Sequence, residues 1–132
     1  MAPQRIAILD NDPAQLAILA ELLESEGYAV ATLANLHQGD VFVKACRPAL
    51  VILDLVQDRQ PLGLELLRVL RTDPQTREVA ILVVSADAQA LKAHADHFQA
   101  DGISVLGKPY DLDDLLGLVR QQLPAVELAA DA

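Results

Sequence analysis

Four polar residues follow one positional rule. Asp10 directly follows the apolar run Ile6-Ala7-Ile8-Leu9, Asp54 follows Ala49-Leu50-Val51-Ile52-Leu53, and Ser85 follows Ala80-Ile81-Leu82-Val83-Val84. Lys108 stands two residues beyond Ile103-Ser104-Val105-Leu106. Two carboxylates held side by side repel each other, and a cation lets both stay charged. A hard divalent ion with oxygen ligands, most simply Mg²⁺, meets that need. An ammonium adds a compact positive charge, and a hydroxyl both donates and accepts a hydrogen bond. Together these groups suit phosphoryl chemistry, with one carboxylate as nucleophile and the cations neutralising the transferred oxygens.

Such a set works only if the chain brings the ends of these runs together. Four of the five short apolar runs are nearly continuous, as in strands buried on both faces of a parallel sheet; Ala29-Val30-Ala31-Thr32-Leu33 is the most mixed and reads as an edge. Helical segments alternate with them. Leu16, Leu19, Ala20 and Leu23 keep helical spacing behind Asp12 as N-cap and Pro13 as first-turn residue, ending at Gly27. Leu36–Cys46 is a second helix, with Val41, Phe42 and Ala45 on one side and Pro48 closing it. Leu62–Thr72 turns Leu66, Leu67 and Leu70 inward. Asp87–Gln99 is a fourth helix with a poor apolar stripe. Asp111 caps a fifth, with Leu112, Leu115, Leu116, Val119 and Leu123 inward. Five β-α repeats imply an α/β fold, a doubly wound five-stranded parallel sheet with five helices. Parallel strands carry Asp10, Asp54, Ser85 and Lys108 to one edge, the carboxyl end, where open α/β sheets bind ligands. In the order 2-1-3-4-5, Asp10 and Asp54 flank the point where the chain reverses direction.

The composition agrees with one such domain. The 132 residues are 52% hydrophobic and only 3% aromatic, so Leu, Ile, Val and Ala must build the core. Residues 4–123 form the domain, and the Ala-rich 124–132 is expected to fray. A formal charge of −9 disfavours direct contact with nucleic acid. One cysteine, Cys46, excludes an internal disulfide and reads as a small buried hydrophobe. No apolar run reaches membrane-spanning length and no signal peptide is visible, so the expected location is cytoplasmic. Spaced-glycine dinucleotide and Walker phosphate loops are absent. His94 and His97 lack a third ligand in the sequence pattern and read as a solvated or partner-facing helix. Asp111, Asp113 and Asp114 complement the dipole of the fifth helix.

From Arg5 to Leu123 the chain resembles a response-regulator receiver domain of two-component signalling, a flavodoxin-like fold. The matching pieces are Ile8-Leu9-Asp10-Asn11-Asp12-Pro13, Val51-Ile52-Leu53-Asp54-Leu55, Gly63-Leu64-Glu65-Leu66-Leu67, Val83-Val84-Ser85-Ala86 and Lys108-Pro109-Tyr110-Asp111-Leu112. Each is weak alone, and five in order are specific. The resemblance implies that Asp54 is the phosphoacceptor, that Asp10 belongs to the pair holding Mg²⁺, and that Val56 lends the metal its backbone carbonyl. It implies that Ser85 turns toward the phosphoryl group and Lys108 pairs with it, with Pro109 a candidate cis proline. A histidine kinase or phosphotransfer protein would supply the phosphoryl group, and a downstream protein would read the change. A homodimer through the face of the fourth and fifth helices is also suggested. Such a domain is not an enzyme beyond slow self-catalysed phosphorylation and dephosphorylation.

Three departures stand out. The second acid of the receiver pair is Asn11 here, an oxygen donor without charge, which should weaken metal binding. Receivers usually carry Pro four residues and Gly eight residues after the phosphoacceptor. Here Asp58 takes the first place and Pro61 and Gly63 come later, so a loop one residue longer is expected, with Asp58 and Arg59 expected to overhang the site. Val105 replaces the aromatic switch residue three positions before the lysine. These departures favour an alternative, a pseudo-receiver that binds proteins without phosphorylation. A phosphatase of the haloacid-dehalogenase type would need a second Asp at position 56, where Val56 stands.

Overall fold

The computed structural model describes residues 3–55 and 60–123. The strands are β1 (Arg5–Leu9), β2 (Ala29–Leu33), β3 (Leu50–Asp54), β4 (Ala80–Ser85) and β5 (Ser104–Gly107). They form one sheet in the order β2-β1-β3-β4-β5, every neighbouring pair parallel. Its register sets Leu9 beside both Leu33 and Leu53, and pairs Asp54 with Val84 and Ser85 with Gly107. The helices are α1 (Pro13–Ser25), α2 (Gly39–Cys46), α3 (Leu62–Thr72), α4 (Ala88–Ala93), α5 (Ala95–Ala100) and α6 (Leu112–Gln122).

Both faces of the sheet are covered, which is why its strands read as continuous apolar runs. Ala7, Leu9, Val51, Leu53, Ile81 and Val83 pack with Val43 of α2, Leu66, Leu67 and Leu70 of α3, and Phe98 of α5. The alternate residues Ile6, Ile8, Leu50, Ile52, Leu82 and Val84 pack with Leu16, Leu19 and Leu23 of α1 and Leu115, Leu116 and Val119 of α6. β2 is an edge strand and only partly buried, as its mixed composition suggests.

The helices depart from expectation where their apolar stripes are weak. The fourth segment is two helices, α4 and α5, meeting at His94, so the described residues form six helices rather than five. α4 buries no residue and α5 only Phe98, so packing does not hold the segment to one continuous cylinder. Leu36–Gln38 is a separate 3₁₀ turn capped by Asn35. α2 begins only at Gly39 and turns Gly39 and Val43 inward, leaving Val41 66% exposed and Ala45 exposed as well. Its phase is set by close packing, because a Cβ on Gly39 would lie 2.3 Å from Leu66 Cδ2. Leu112 is exposed too, at the first position of α6, a turn short of where Leu115 and Leu116 meet the sheet. The expectations for 124–132 and for Val56, Asp58 and Arg59 lie outside the described residues.

The start of α3 meets the end of β3 at Gly63. A Cβ there would fall 2.0 Å from the Asp54 carbonyl oxygen and 2.6 Å from that of Leu55, both backbone atoms with no freedom to yield. Gly63→Ala should therefore destabilise the fold by about 2–4 kcal/mol. Gly117→Ala, at an exposed helical site with nothing within 4 Å of the new methyl, should stabilise it by about 0.5–1 kcal/mol. Urea unfolding of the two variants checks the contrast, and equal midpoints would contradict it.

A second test concerns the ion pair between Lys44 of α2 and Asp73, the residue that ends α3. The Lys44 ammonium, followed by the Gln75 amide, holds the Asp73 carboxyl below its ordinary value. A carboxylate depressed in the folded state contributes stability above its unfolded pKa and loses it as pH falls through the folded one. The unfolding midpoint should thus drop below about pH 4. In Asp73→Asn that acid slope should be shallower, and an unchanged slope would exclude the pair as its source.

Candidate functional site

The sheet order sets β1, β3, β4 and β5 side by side, so their carboxyl ends deliver four polar groups to one edge. Asp10, just past β1, is 2% exposed, and Asp54, the last residue of β3, is 6% exposed. Lys108, just past β5, reaches over both. Its Nζ donates to Asp10 Oδ2 at 3.0 Å and to Asp54 Oδ2 at 3.3 Å. Its own amide donates to the Ser85 carbonyl at 2.8 Å, and its bond to Pro109 is cis. Ser85 is buried at the end of β4, where its Oγ accepts the Asp87 amide at 3.0 Å. Asp87 in turn caps α4 by accepting the Ala90 amide at 3.0 Å. Asp10, Asp54 and Lys108 therefore meet side chain to side chain, and Ser85 adjoins them at the same sheet edge through its carbonyl on the Lys108 amide.

Electrostatics fix the character of that place. Burial pulls the Lys108 ammonium down, but Asp10 and Asp54 outweigh it, and its pKa lies above the ordinary lysine value. Among the described residues two carboxylates face this one ammonium in a mostly buried cluster, acidic oxygens of a kind that suit a cation. The donors are hard oxygens: the carboxylates of Asp10 and Asp54, with the exposed Asn11 adjoining Asp10 in sequence. Among the described residues no three His, Cys, Asp or Glu side chains gather to hold a metal. Such a set suits Mg²⁺, which keeps several waters and takes one or two carboxylates. Val56 falls outside the described residues.

The remaining polar residues have structural work. Asp10 Oδ1 accepts the Asp12 amide at 3.0 Å, and Asp12 caps α1 by accepting the Ala14 amide at 3.0 Å. Asp111 caps α6, with Asp113 and Asp114 in its first turn. His94 and His97 line a groove with Arg68, Arg71 and Asp101. Cys46 is half-buried rather than fully buried, and burial pushes its thiol up. A cavity of about 730 Å³ opens at the amino end of the sheet, lined in part by Lys44, Arg47, Pro48 and Pro74, away from the four site residues. Spacing in the sequence gives no sign of one contact beside the site, from Gln15 Nε2 to the Tyr110 hydroxyl at 2.7 Å across 95 positions. Tyr110, two residues past the lysine, was legible only as part of the Lys-Pro-Tyr piece.

Comparison with known proteins gives one consistent result. The family model described as the response regulator receiver domain matches residues 6–120. The DNA-binding dual master transcriptional regulator RpaA of Synechocystis is 29% identical over 119 residues, which are 90% of this chain and 48% of the regulator. The chain thus spans about half the length of that relative, and the expectation of no contact with nucleic acid concerns these 132 residues and rests on their charge alone. A sensor protein from Polaromonas superposes with a TM-score of 0.76 at 33% identity, over 90% of this chain and 95% of that one. The receiver domain of sensor histidine kinase PA1611 from Pseudomonas aeruginosa has a TM-score of 0.75 at 22% identity, over 92% and 98% of the two chains. That structure is described with a magnesium ion in its active-site cleft. Among the described residues no helix is long and apolar enough to cross a membrane. With its sheet order, its acidic edge and a family match over most of its length, the chain belongs to the response-regulator receiver domains of two-component systems.

Proposed function

We propose that Asp54 accepts a phosphoryl group from a histidine kinase or phosphotransfer protein, and that residues 4–123 act as one cytoplasmic receiver unit. The observation that carries this reading is Lys108 Nζ bridging Asp10 and Asp54 at the carboxyl edge of the sheet. An Asp54 carboxylate oxygen attacks phosphorus, a new P–O bond replaces the donor's P–N bond, and that bond's electron pair leaves with the imidazole. When bound, Mg²⁺ supplies positive charge against the phosphoryl oxygens, and Asp10, Asn11, Asp54 and the Val56 carbonyl would hold it. Lys108 exchanges its contact with Asp54 for a phosphoryl oxygen and stays charged throughout. The chain turns no substrate over; its only chemistry is gain and slow loss of this group.

The signal leaves through Ser85. Its Oγ accepts the Asp87 amide at 3.0 Å, so turning to donate to the phosphoryl group releases that amide. Asp87 caps α4, the helix without a buried residue, so the change falls on the least anchored part of the fold. The surface it remodels is the face of α4, α5, β5 and α6, read by a downstream protein or a second copy. A reader must bind one state better than the other. Asn11 supports the alternative, together with the loop after Asp54 and Val105: a weakened metal site suits a pseudo-receiver that acts without phosphorylation.

Incubation with Mg²⁺ and acetyl phosphate, followed by intact-mass analysis, separates the two. Wild type should gain one phosphoryl group and Asp54→Ala none. Wild type inert at every Mg²⁺ concentration would leave the pseudo-receiver standing. Asn11→Asp should bind Mg²⁺ about tenfold more tightly, the order expected of one added carboxylate at a half-solvated cation site. Unchanged affinity by titration would place Asn11 away from the metal.

A further inference from the structure

The first turn of α1 and the loop carrying Lys108 are closed into a ring. Asp10 Oδ1 accepts the Asp12 amide at 3.0 Å, and Asp12 Oδ1 accepts the Gln15 amide at 3.4 Å. Gln15 Nε2 donates to the Tyr110 hydroxyl at 2.7 Å. Tyr110 stands two residues past Lys108, whose Nζ returns to Asp10 Oδ2 at 3.0 Å. The backbone of Lys108 is therefore held on two sides, by its amide on the Ser85 carbonyl and by the tie from Tyr110 to α1.

We propose that Gln15 and Tyr110 are positioning residues for phosphoryl transfer, their mutual hydrogen bond locking the Lys108 backbone to the first turn of α1. This rests on Asp54 as phosphoacceptor. Lys108 must give up a carboxylate and find a phosphoryl oxygen without leaving the site. A fixed backbone confines that motion to the side chain, so the ammonium sweeps a short arc between two acceptors. Asp10 and Asn11, on the metal's side, sit at the other end of the same ring, so lysine and metal donors keep their spacing. Both tie residues are half-buried, and burial keeps the Tyr110 hydroxyl protonated by pushing its pKa up. The Tyr110 ring also packs against the core face shared by α1 and α6, so the hydroxyl can be removed while the packing stays.

Tyr110→Phe, Gln15→Leu and the double variant test this. With acetyl phosphate and saturating Mg²⁺, each single variant should lose about three- to tenfold in maximum phosphorylation rate, the size of one net hydrogen bond. Half-saturation by the phosphodonor should not move, and the double variant should lose no more than either single one. Unchanged rates, or losses that multiply in the double variant, would overturn the proposal. A second readout needs neither metal nor phosphodonor. Hydrogen exchange of the Lys108 amide should quicken about three- to tenfold in both single variants while the Leu55 amide, bonded to the Val84 carbonyl, keeps its protection. A Lys108 amide as protected as in wild type would also overturn the tie. Wild type inert to the phosphodonor would instead refute the reading of Asp54, so the two failures are distinct.

Discussion

One ammonium between two buried carboxylates organises this molecule's functional edge. Asp10, just past β1, and Asp54, at the end of the adjacent β3, are nearly closed to solvent, where two like charges repel strongly. Lys108 Nζ lies within 3.3 Å of both and sets a positive charge between them. That acidic edge is where the proposed cation and phosphoryl group would sit.

The sheet exists to hold that balance. Strands β1, β3 and β4 bury both their faces, so their register is strongly specified and the order of residues at their ends is fixed with it. Gly63 presses α3 onto the carbonyls of Asp54 and Leu55, pinning the end of β3 from the side. By contrast α4 and α5 rest on the fold through little more than Phe98 and half-buried Leu91. Rigid strand ends beside a loosely anchored helical segment are what a device needs if a small change at the edge is to move something larger.

Much of this was legible in the residues because buried parallel strands write themselves as continuous apolar runs, and the residue ending each run falls on the ligand edge. Asp10, Asp54 and Ser85 were found by that rule alone, and the caps at Asp12 and Asp111 by residue type. What failed were features governed by tertiary contact. The phase of α2 follows Gly39 against Leu66 rather than the local pattern that favoured Val41 and Ala45. The break at His94 reflects burial that the Ala-rich sequence could not supply. The bond between Gln15 and Tyr110 joins residues 95 positions apart, neither of a type that announces a site.

The most direct measurement of the central claim is a crystal structure grown with Mg²⁺ and beryllofluoride, a stand-in for the phosphoryl group. Beryllium should lie on an Asp54 oxygen, Mg²⁺ against Asp10, and Lys108 Nζ should have moved from Asp54 to a fluorine while the backbone at Lys108 stays in place. Beryllofluoride elsewhere, or Lys108 still bridging both carboxylates with the ligand bound, would contradict it.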